Sequence, residues 1–517
     1  MLRKKSIQSA TLGAFAGIVL LAGCSSASPP PGASGSPSVS ENATSKGAGA
    51  PTEINILTTT YNSAPGNDLD SLKQINEKFN VKINVTYVPA NNYTDKLNVM
   101  LAAGDLPDVT MVWDINTQTF ANAINQGAFW DLTPYIKNYP NLAAYPQQIY
   151  TNVAFKGKTM GIPRVRPTDG HESLLIRQDW LDKLGLKAPK TMDEFFNVME
   201  AFTKQDPDGN GKNDTYGFVG QGSPTLQNYF ISMFGNGFTH YIDESGQIQP
   251  SFFNPKMKDA LTFWNKVNKA GVMVPDLPLL QTSQIRDFMT QDKAGMGFSN
   301  VYDGHLYTDD IKKVNPKAVI VAYEFPAAPD GKRYYEQAPG SFGVFLINKK
   351  VSEDKLKKIL DVYNYTATRE VYNLVAYGIK DLDYKEAPNG DITQTDEGKK
   401  KGYAFDTSAQ WVSSYFDKYV KADLPGMTPE TKEYNHKLVD SIMTQSVPNY
   451  GLGLVTPTAL EKSAEWNKKI NDMMVNVIIG KNSMDDWDKF VKSFKDDPIY
   501  QKHLKELNEL YKERTKK

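Results

Sequence analysis

Between Ile54 and Trp113 the apolar side chains switch repeatedly between two spacings, and few folds accommodate that pattern. Ile54-Asn55-Ile56-Leu57 reads as a short strand, after which Leu72, Ile75 and Phe79 share one helical face. Val81, Ile83, Val85 and Tyr87 then alternate with Lys82, Asn84 and Thr86, as a half-buried strand should. Leu97, Met100 and Leu101 resume helical spacing, Gly104-Asp105-Leu106-Pro107 breaks it, and Val109 to Trp113 is a buried strand run. The order strand, helix, strand, helix, strand predicts an α/β fold: a mostly parallel sheet with helices on both faces, whose ligands sit beyond the carboxyl ends of the strands.

The segment before this unit has a different purpose. Arg3, Lys4 and Lys5 precede an apolar run, Leu12 to Leu21, that is too short to span a membrane as a mature helix. Leu21-Ala22-Gly23-Cys24 then places the chain's only cysteine where a lipoprotein precursor is cut and lipidated. Residues 1–23 are therefore expected to be a signal peptide, Cys24 the lipidation site and membrane anchor, and residues 24–52, poor in large apolar side chains, a Ser/Pro/Gly-rich tether. Cleavage removes three cations and makes the formal net charge of −1 more negative, so neither nucleic acid nor an anionic membrane face is invited. With one cysteine, no internal disulfide can form. A chain of 517 residues is long enough for at least two cores.

The run Asp95-Lys96-Leu97-Asn98-Val99-Met100-Leu101-Ala102-Ala103-Gly104-Asp105-Leu106-Pro107-Asp108-Val109 resembles the early segment of the extracellular solute-binding proteins of carbohydrate-uptake ABC transporters. Gly161-Ile162-Pro163-Arg164, the run Leu175 to Leu186, and Thr191-Met192-Asp193-Glu194-Phe195 are similar to the long lipoprotein subgroup of Gram-positive bacteria. Gly295-Met296-Gly297-Phe298 and Gly340-Ser341-Phe342-Gly343 extend the likeness, which covers about residues 53–495. The resemblance implies a two-lobed, type II periplasmic-binding-protein-like fold with each lobe discontinuous in sequence. Lobe 1 is expected at 53–165 plus 318–380 and lobe 2 at 166–317 plus 381–517. It also implies a monomer that captures an oligosaccharide between its lobes and presents it to permease subunits, without making or breaking a bond.

Asp206, Asp208, Asn210 and Asp214 place oxygen side chains at loop positions one, three, five and nine, with Gly211 at six and the Lys212 carbonyl at seven, a spacing that wraps a hard cation such as calcium. Gly217 stands where an EF-hand has its bidentate Glu, and Thr215 where related loops often carry an acid. The other reading is a polar turn. No paired-histidine metal spacing, G-x-S-x-G or phosphate loop occurs.

Sugars offer apolar ring faces to aromatic side chains and hydroxyls to planar polar groups. By position after strands or near a crossing, the candidate ligand-binding residues are Tyr61, Trp113, Asp114, Arg164, Arg166, Asn228, Asn300, Tyr302, Asp303, Trp411 and Tyr415, with Trp113→Ala or Trp411→Ala expected to weaken binding. Arg164 and Arg166 would suit a uronic acid by bidentate pairing, or a salt bridge near a hinge. A peptide binder, a ligand sensor and a glycan-degrading surface enzyme are the alternatives.

Overall fold

The structure, a computed structural model, describes residues 49–516 apart from 62, 170–171, 221–229, 238, 276–279, 281, 389–390, 404–406, 421 and 425. The expectations for residues 1–48, including Cys24, and for Asn228 lie outside the described residues. Residues 50–517 form one compact unit.

The predicted alternation folds as β1 (Thr52–Thr60), α1 (Asp70–Phe79), β2 (Val81–Pro89), α2 (Ala90–Ala103) and β3 (Val109–Val112). Each helix ends on a left-handed residue, Asn80 with φ 47° and Gly104 with φ 67°, whose N–H reaches back to a carbonyl of the last turn. Two later strands, β4 (Gly161–Val165) and β11 (Ser341–Ile347), complete a five-stranded sheet of order β2-β1-β3-β11-β4. The β1, β2 and β3 strands run parallel, and β11 runs antiparallel to both its neighbours.

A second, three-stranded sheet holds β5 (Glu172–Arg177) between β8 (Met296–Asn300) and β9 (Ile320–Tyr323). Both pairings are antiparallel, unlike the mostly parallel sheet expected for each lobe. The β8 and β9 strands are joined through the helix Asp303–Ile311 and run in one direction, and β5 slots between them in the other. Short pairs β6–β7 (His240–Ile242, Ile248–Pro250) and β10 (Tyr335–Glu336) with Ser446–Val447 lie outside these sheets.

Two hydrophobic cores form, and they interleave along the chain. The first gathers β1–β4, β11 and the helices Glu353–Thr366 and Arg369–Tyr377, and it continues through Tyr384 and Tyr403 to Trp411 and Val412. The second runs from Leu174 through Tyr335 and resumes at Ala422. After the first switch, between Val165 and Leu174, the chain returns to the first core past Tyr335 and to the second past Val412. Ala318, Ile320 and Phe325 join the second core because β9 pairs with β5. Tyr403, Ala409, Trp411 and Val412 join the first, where the Tyr403 hydroxyl accepts from the Ser71 N–H at 3.1 Å and the Thr58 hydroxyl donates to the Gln410 carbonyl at 2.8 Å.

Three crossings run side by side between the cores. Arg166 N–H donates to the Gly340 carbonyl (2.9 Å), Ala338 N–H to Thr168 (2.6 Å) and Val165 N–H to Ser413 (2.9 Å). Gly340 has φ 76°, and a Cβ there would lie 2.7 Å from Ile149 and 2.8 Å from Thr168. Gly340→Ala is expected to distort the crossing and lower the melting temperature, which a thermal melt would detect.

Candidate functional site

Sheet order decides which side chains meet. The carboxyl ends of β1, β3 and β4 and the amino end of antiparallel β11 share one edge of the first sheet. Tyr61, Trp113 with Asp114, Phe342 and Arg166 therefore stand in a row along that edge.

On one side of this edge lies a cationic recess. The Arg166 guanidinium carbon is 4.0 Å from the centre of the Phe342 ring and that of Arg164 is 5.3 Å away. Tyr61, 54% exposed, meets the same ring edge-on at 6.1 Å, and Tyr372 and Tyr415 pair at 5.4 Å. Arg164 is buried and donates to the Ala409 carbonyl at 3.4 Å. Arg166 is half-buried, and no carboxylate among the described residues forms an ion pair with it. Burial, and then the neighbouring Arg164 charge, push Arg166 down to about 10, while Tyr302, Tyr372 and Tyr61 partly offset this. Burial raises Tyr61 and Tyr372, so both remain neutral hydroxyls at pH 7. The Arg166 guanidinium thus stands beside Arg164 and among neutral aromatic rings, an arrangement that favours an incoming anion.

On the other side a cavity of about 670 Å³ opens between the same edge and the helix Pro457–Ile478. Trp113 and Asp114 line it with Asn116, His240, Asn467 and Asn471. The Asp114 carboxylate is open to solvent at the cavity wall, and the surrounding protein pushes it up although Asn116 N–H donates to it at 2.8 Å. Burial, with His503 and Arg514 close by, pushes His240 down to about 3. Burial likewise pushes His503, bonded to the Thr456 hydroxyl at 2.7 Å, down to about 4 against the opposing charge of Glu506.

Both imidazoles take up protons more readily in the unfolded chain, near pH 6.5. Their contribution to stability is therefore full above about pH 6.5 and is lost as pH falls toward the folded values of about 4 and about 3. Thermal melts should show the melting temperature falling between pH 7 and pH 5, with a shallower slope in His503→Asn. An equal slope in that variant would remove His503 from this account.

Of the residues singled out in the sequence, Tyr61, Arg164, Arg166, Tyr302 and Tyr415 come together around Phe342 and Tyr372, and Trp113 and Asp114 line the adjoining cavity. Trp411 does not belong to the site: it is 3% exposed within the first core. Nor does Asp303 face a ligand. It is buried, and its carboxylate accepts from the Ser299 hydroxyl and from the backbone and side-chain nitrogens of Asn300 (3.1 Å each), fixing the turn into the following helix. That bond also occupies one end of the Asn300 amide.

Sequence reasoning missed Phe342 and Tyr372. Gly340 and Gly343 on either side of Phe342, in a run already noted, were the available signal for the first. Asn467 and Asn471 were missed too, because the apolar spacing of their helix marks it as a core element. Trp466, Met474 and Val477 do enter the second core, but the amide face borders the cavity.

The acidic loop is drawn around a side chain of its own. The Asp206 carboxylate accepts from the N–H groups of Gly209, Asn210 (3.0 Å each) and Gly211 (3.1 Å). The Asn210 amide donates to Asp208 at 2.6 Å and to Asp214 at 3.0 Å, and Lys293 pairs with Asp214 at 2.8 Å. Among the described residues no group of three or more His, Cys, Asp or Glu is arranged to hold a metal ion. The donor set still suits a cation. A hydrogen bond from Asp208 lowers Asp206, while burial and that same bond raise Asp208, and two carboxylates drawn this close favour a positive charge beside them.

The profile of a family described as bacterial extracellular solute-binding proteins matches residues 64–366. The chain is 31% identical over 442 residues to a polygalacturonan/rhamnogalacturonan-binding protein, YtcQ, of Bacillus subtilis (strain 168), covering 84% of this chain and 86% of that one. It is 30% identical over 470 residues to the lipoprotein LipO of the same organism, covering 87% and 90%. Among solved structures, the alginate-binding protein AlgQ2 without calcium ion aligns with a TM-score of 0.71 at 19% identity, covering 90% of this chain and 99% of that one.

Proposed function

The chain belongs to the bacterial extracellular solute-binding protein family, and from that premise we propose that it captures a uronic-acid-containing oligosaccharide and delivers it to the permease of an ABC importer. The observation that carries this reading is the cationic recess: Arg164 and Arg166, set among Phe342, Tyr61 and Tyr372 at the sheet edge, with Tyr302 of the second sheet's side close enough to act on Arg166. A carboxylate held there pairs with the Arg166 guanidinium, and its ring stacks on aromatic neighbours. The nature of the cargo named for the Bacillus subtilis relative agrees with it.

In this reading the two cores are the two lobes, and the three crossings are the hinge. A ligand that touches both lobes favours the closed form, and the permease recognises that shape. Moving a mostly open population to a mostly closed one needs about 5.5 kcal/mol of preferential binding, within reach of a few charge-assisted hydrogen bonds and stacked rings. No bond is made or broken. The protein acts as a monomer outside the cell, tethered through lipid on Cys24.

Calcium at the acidic loop is part of the same reading. The side chains of Asp206, Asp208, Asn210 and Asp214 and the carbonyl of Lys212 would hold it, and it would tie the loop down without touching the cargo. A thermal-shift screen of the purified protein against uronate and neutral oligosaccharides and peptides, with calcium or chelator, tests both parts. Stabilisation by uronate oligosaccharides without hydrolysis is expected, together with a gain from calcium that chelator reverses. Stabilisation by peptides alone, or turnover of a glycan, would overturn the transport reading, and indifference to excess calcium would remove the metal.

A further inference from the structure

We propose that the cleft is built in two chemically opposed halves, so that its cargo is a mixed oligosaccharide in which a uronate is linked to a neutral sugar. This rests on the oligosaccharide reading above and adds the order of charge along the ligand.

The halves are one residue apart. Ser341 lines the cavity, and the next residue of the same strand, Phe342, carries Arg164 and Arg166 across its ring. A single short ligand lying along the sheet edge therefore enters both.

Their chemistry differs in sign. The recess offers two guanidiniums and neutral phenols. The cavity offers amides from Asn116, Asn467 and Asn471. Its imidazoles, His240 and His503, are uncharged at neutral pH, and its charged group at the sheet edge is the Asp114 carboxylate. A second uronate in the cavity would meet Asp114, a like charge in a place where the surrounding protein already disfavours ionisation. A neutral ring instead gives Asp114 hydroxyl donors and gives the amides both donors and acceptors. Trp113, half-buried on the cavity wall, supplies an apolar face for the ring. A neutral ring in the recess would in turn leave Arg166 without an anion. Each half thus selects for one class of sugar and against the other. The volume, about 670 Å³, lies within the ordinary range for small-ligand sites.

The experiment is calorimetric titration of the purified protein with two probes: trigalacturonate, and a rhamnogalacturonan tetrasaccharide in which galacturonate alternates with neutral rhamnose. The mixed probe is expected to bind at least about tenfold more tightly, the worth of one or two well-made hydrogen bonds. Asn471→Ala is expected to shrink that ratio about tenfold. Asn467→Ala, on the exposed side of the same helix, is expected to shrink it also and serves if the first variant folds poorly. Equal affinity for the two probes, or a ratio unmoved by both substitutions, overturns the two-half cleft while leaving uronate capture standing. Binding of neither probe by the unaltered protein overturns the oligosaccharide reading itself, and the proposal with it.

Discussion

Arg166→Ala is expected to cost about 2–5 kcal/mol of affinity for a uronate oligosaccharide, a rise in Kd of roughly thirtyfold to several thousandfold. The guanidinium is half-buried against Phe342 at 4.0 Å, and no carboxylate among the described residues pairs with it. The strongest charge-assisted contact available to Arg166 is therefore with the ligand. For the same reason its removal strands no buried acid, and it relieves repulsion from Arg164. The melting temperature of the free protein should hold or rise while binding is lost. Arg166→Lys keeps the charge but not the planar fork, and its affinity should fall between the two. Calorimetry with trigalacturonate, paired with a thermal melt, checks both halves of the prediction. Undiminished affinity in Arg166→Ala would dissolve the cationic recess as a binding site.

Trp411→Ala is expected to act on stability, with a loss of about 3–5 kcal/mol. The indole is 3% exposed in the first core, in a turn that the Thr58 hydroxyl holds through Gln410 at 2.8 Å. Truncation there leaves a cavity that a sheet buried on both faces cannot close. Two cores allow two unfolding steps, so the step belonging to the first core should move to lower denaturant while the other stays near its original place. Chemical denaturation followed by fluorescence and circular dichroism would resolve them. Weakened ligand binding with an unchanged unfolding curve would contradict the core placement. Trp113→Ala is the useful contrast. Trp113 is half-buried on the cavity wall and touches Tyr93 edge-on at 5.2 Å, so its loss should lower affinity more than stability.

The difference between these two tryptophans shows where sequence reading stops. Local periodicity carries β1 through β3, because each strand and helix buries a face at a fixed repeat, and the Gly104 break coincides with a left-handed cap. Periodicity says nothing about which distant strand completes a sheet, so the pairing of β5 with β9, and with it the membership of residues 318–335, is not visible from either segment alone. Side-chain type has the same limit. A tryptophan suits a core and a sugar ring equally, and only the Gln410–Thr58 contact assigns Trp411 to the first. Asp303 offered a clearer local sign, since a carboxylate three residues after Asn300 at the start of a helix commonly binds its own backbone. The arginines were legible because two cations so close together near a crossing need an explanation that packing does not supply. Asn471 was not, because the hydrophobic spacing of its helix points to a core and says nothing of the polar face.

The interleaving of the two cores also decides when each can be finished during synthesis. The hydrogen bond from Thr58 to Gln410 joins residues 352 positions apart. At the usual elongation rate of about 5–20 residues per second, the opening strands wait on the order of half a minute for the segment that covers them. The whole sheet-forming part of the second core is made within that interval, so the half begun first is closed only after much of the other exists. Truncation anywhere between the second sheet and Val412 therefore leaves both halves open, and the smallest independently folding piece of this chain is close to all of it.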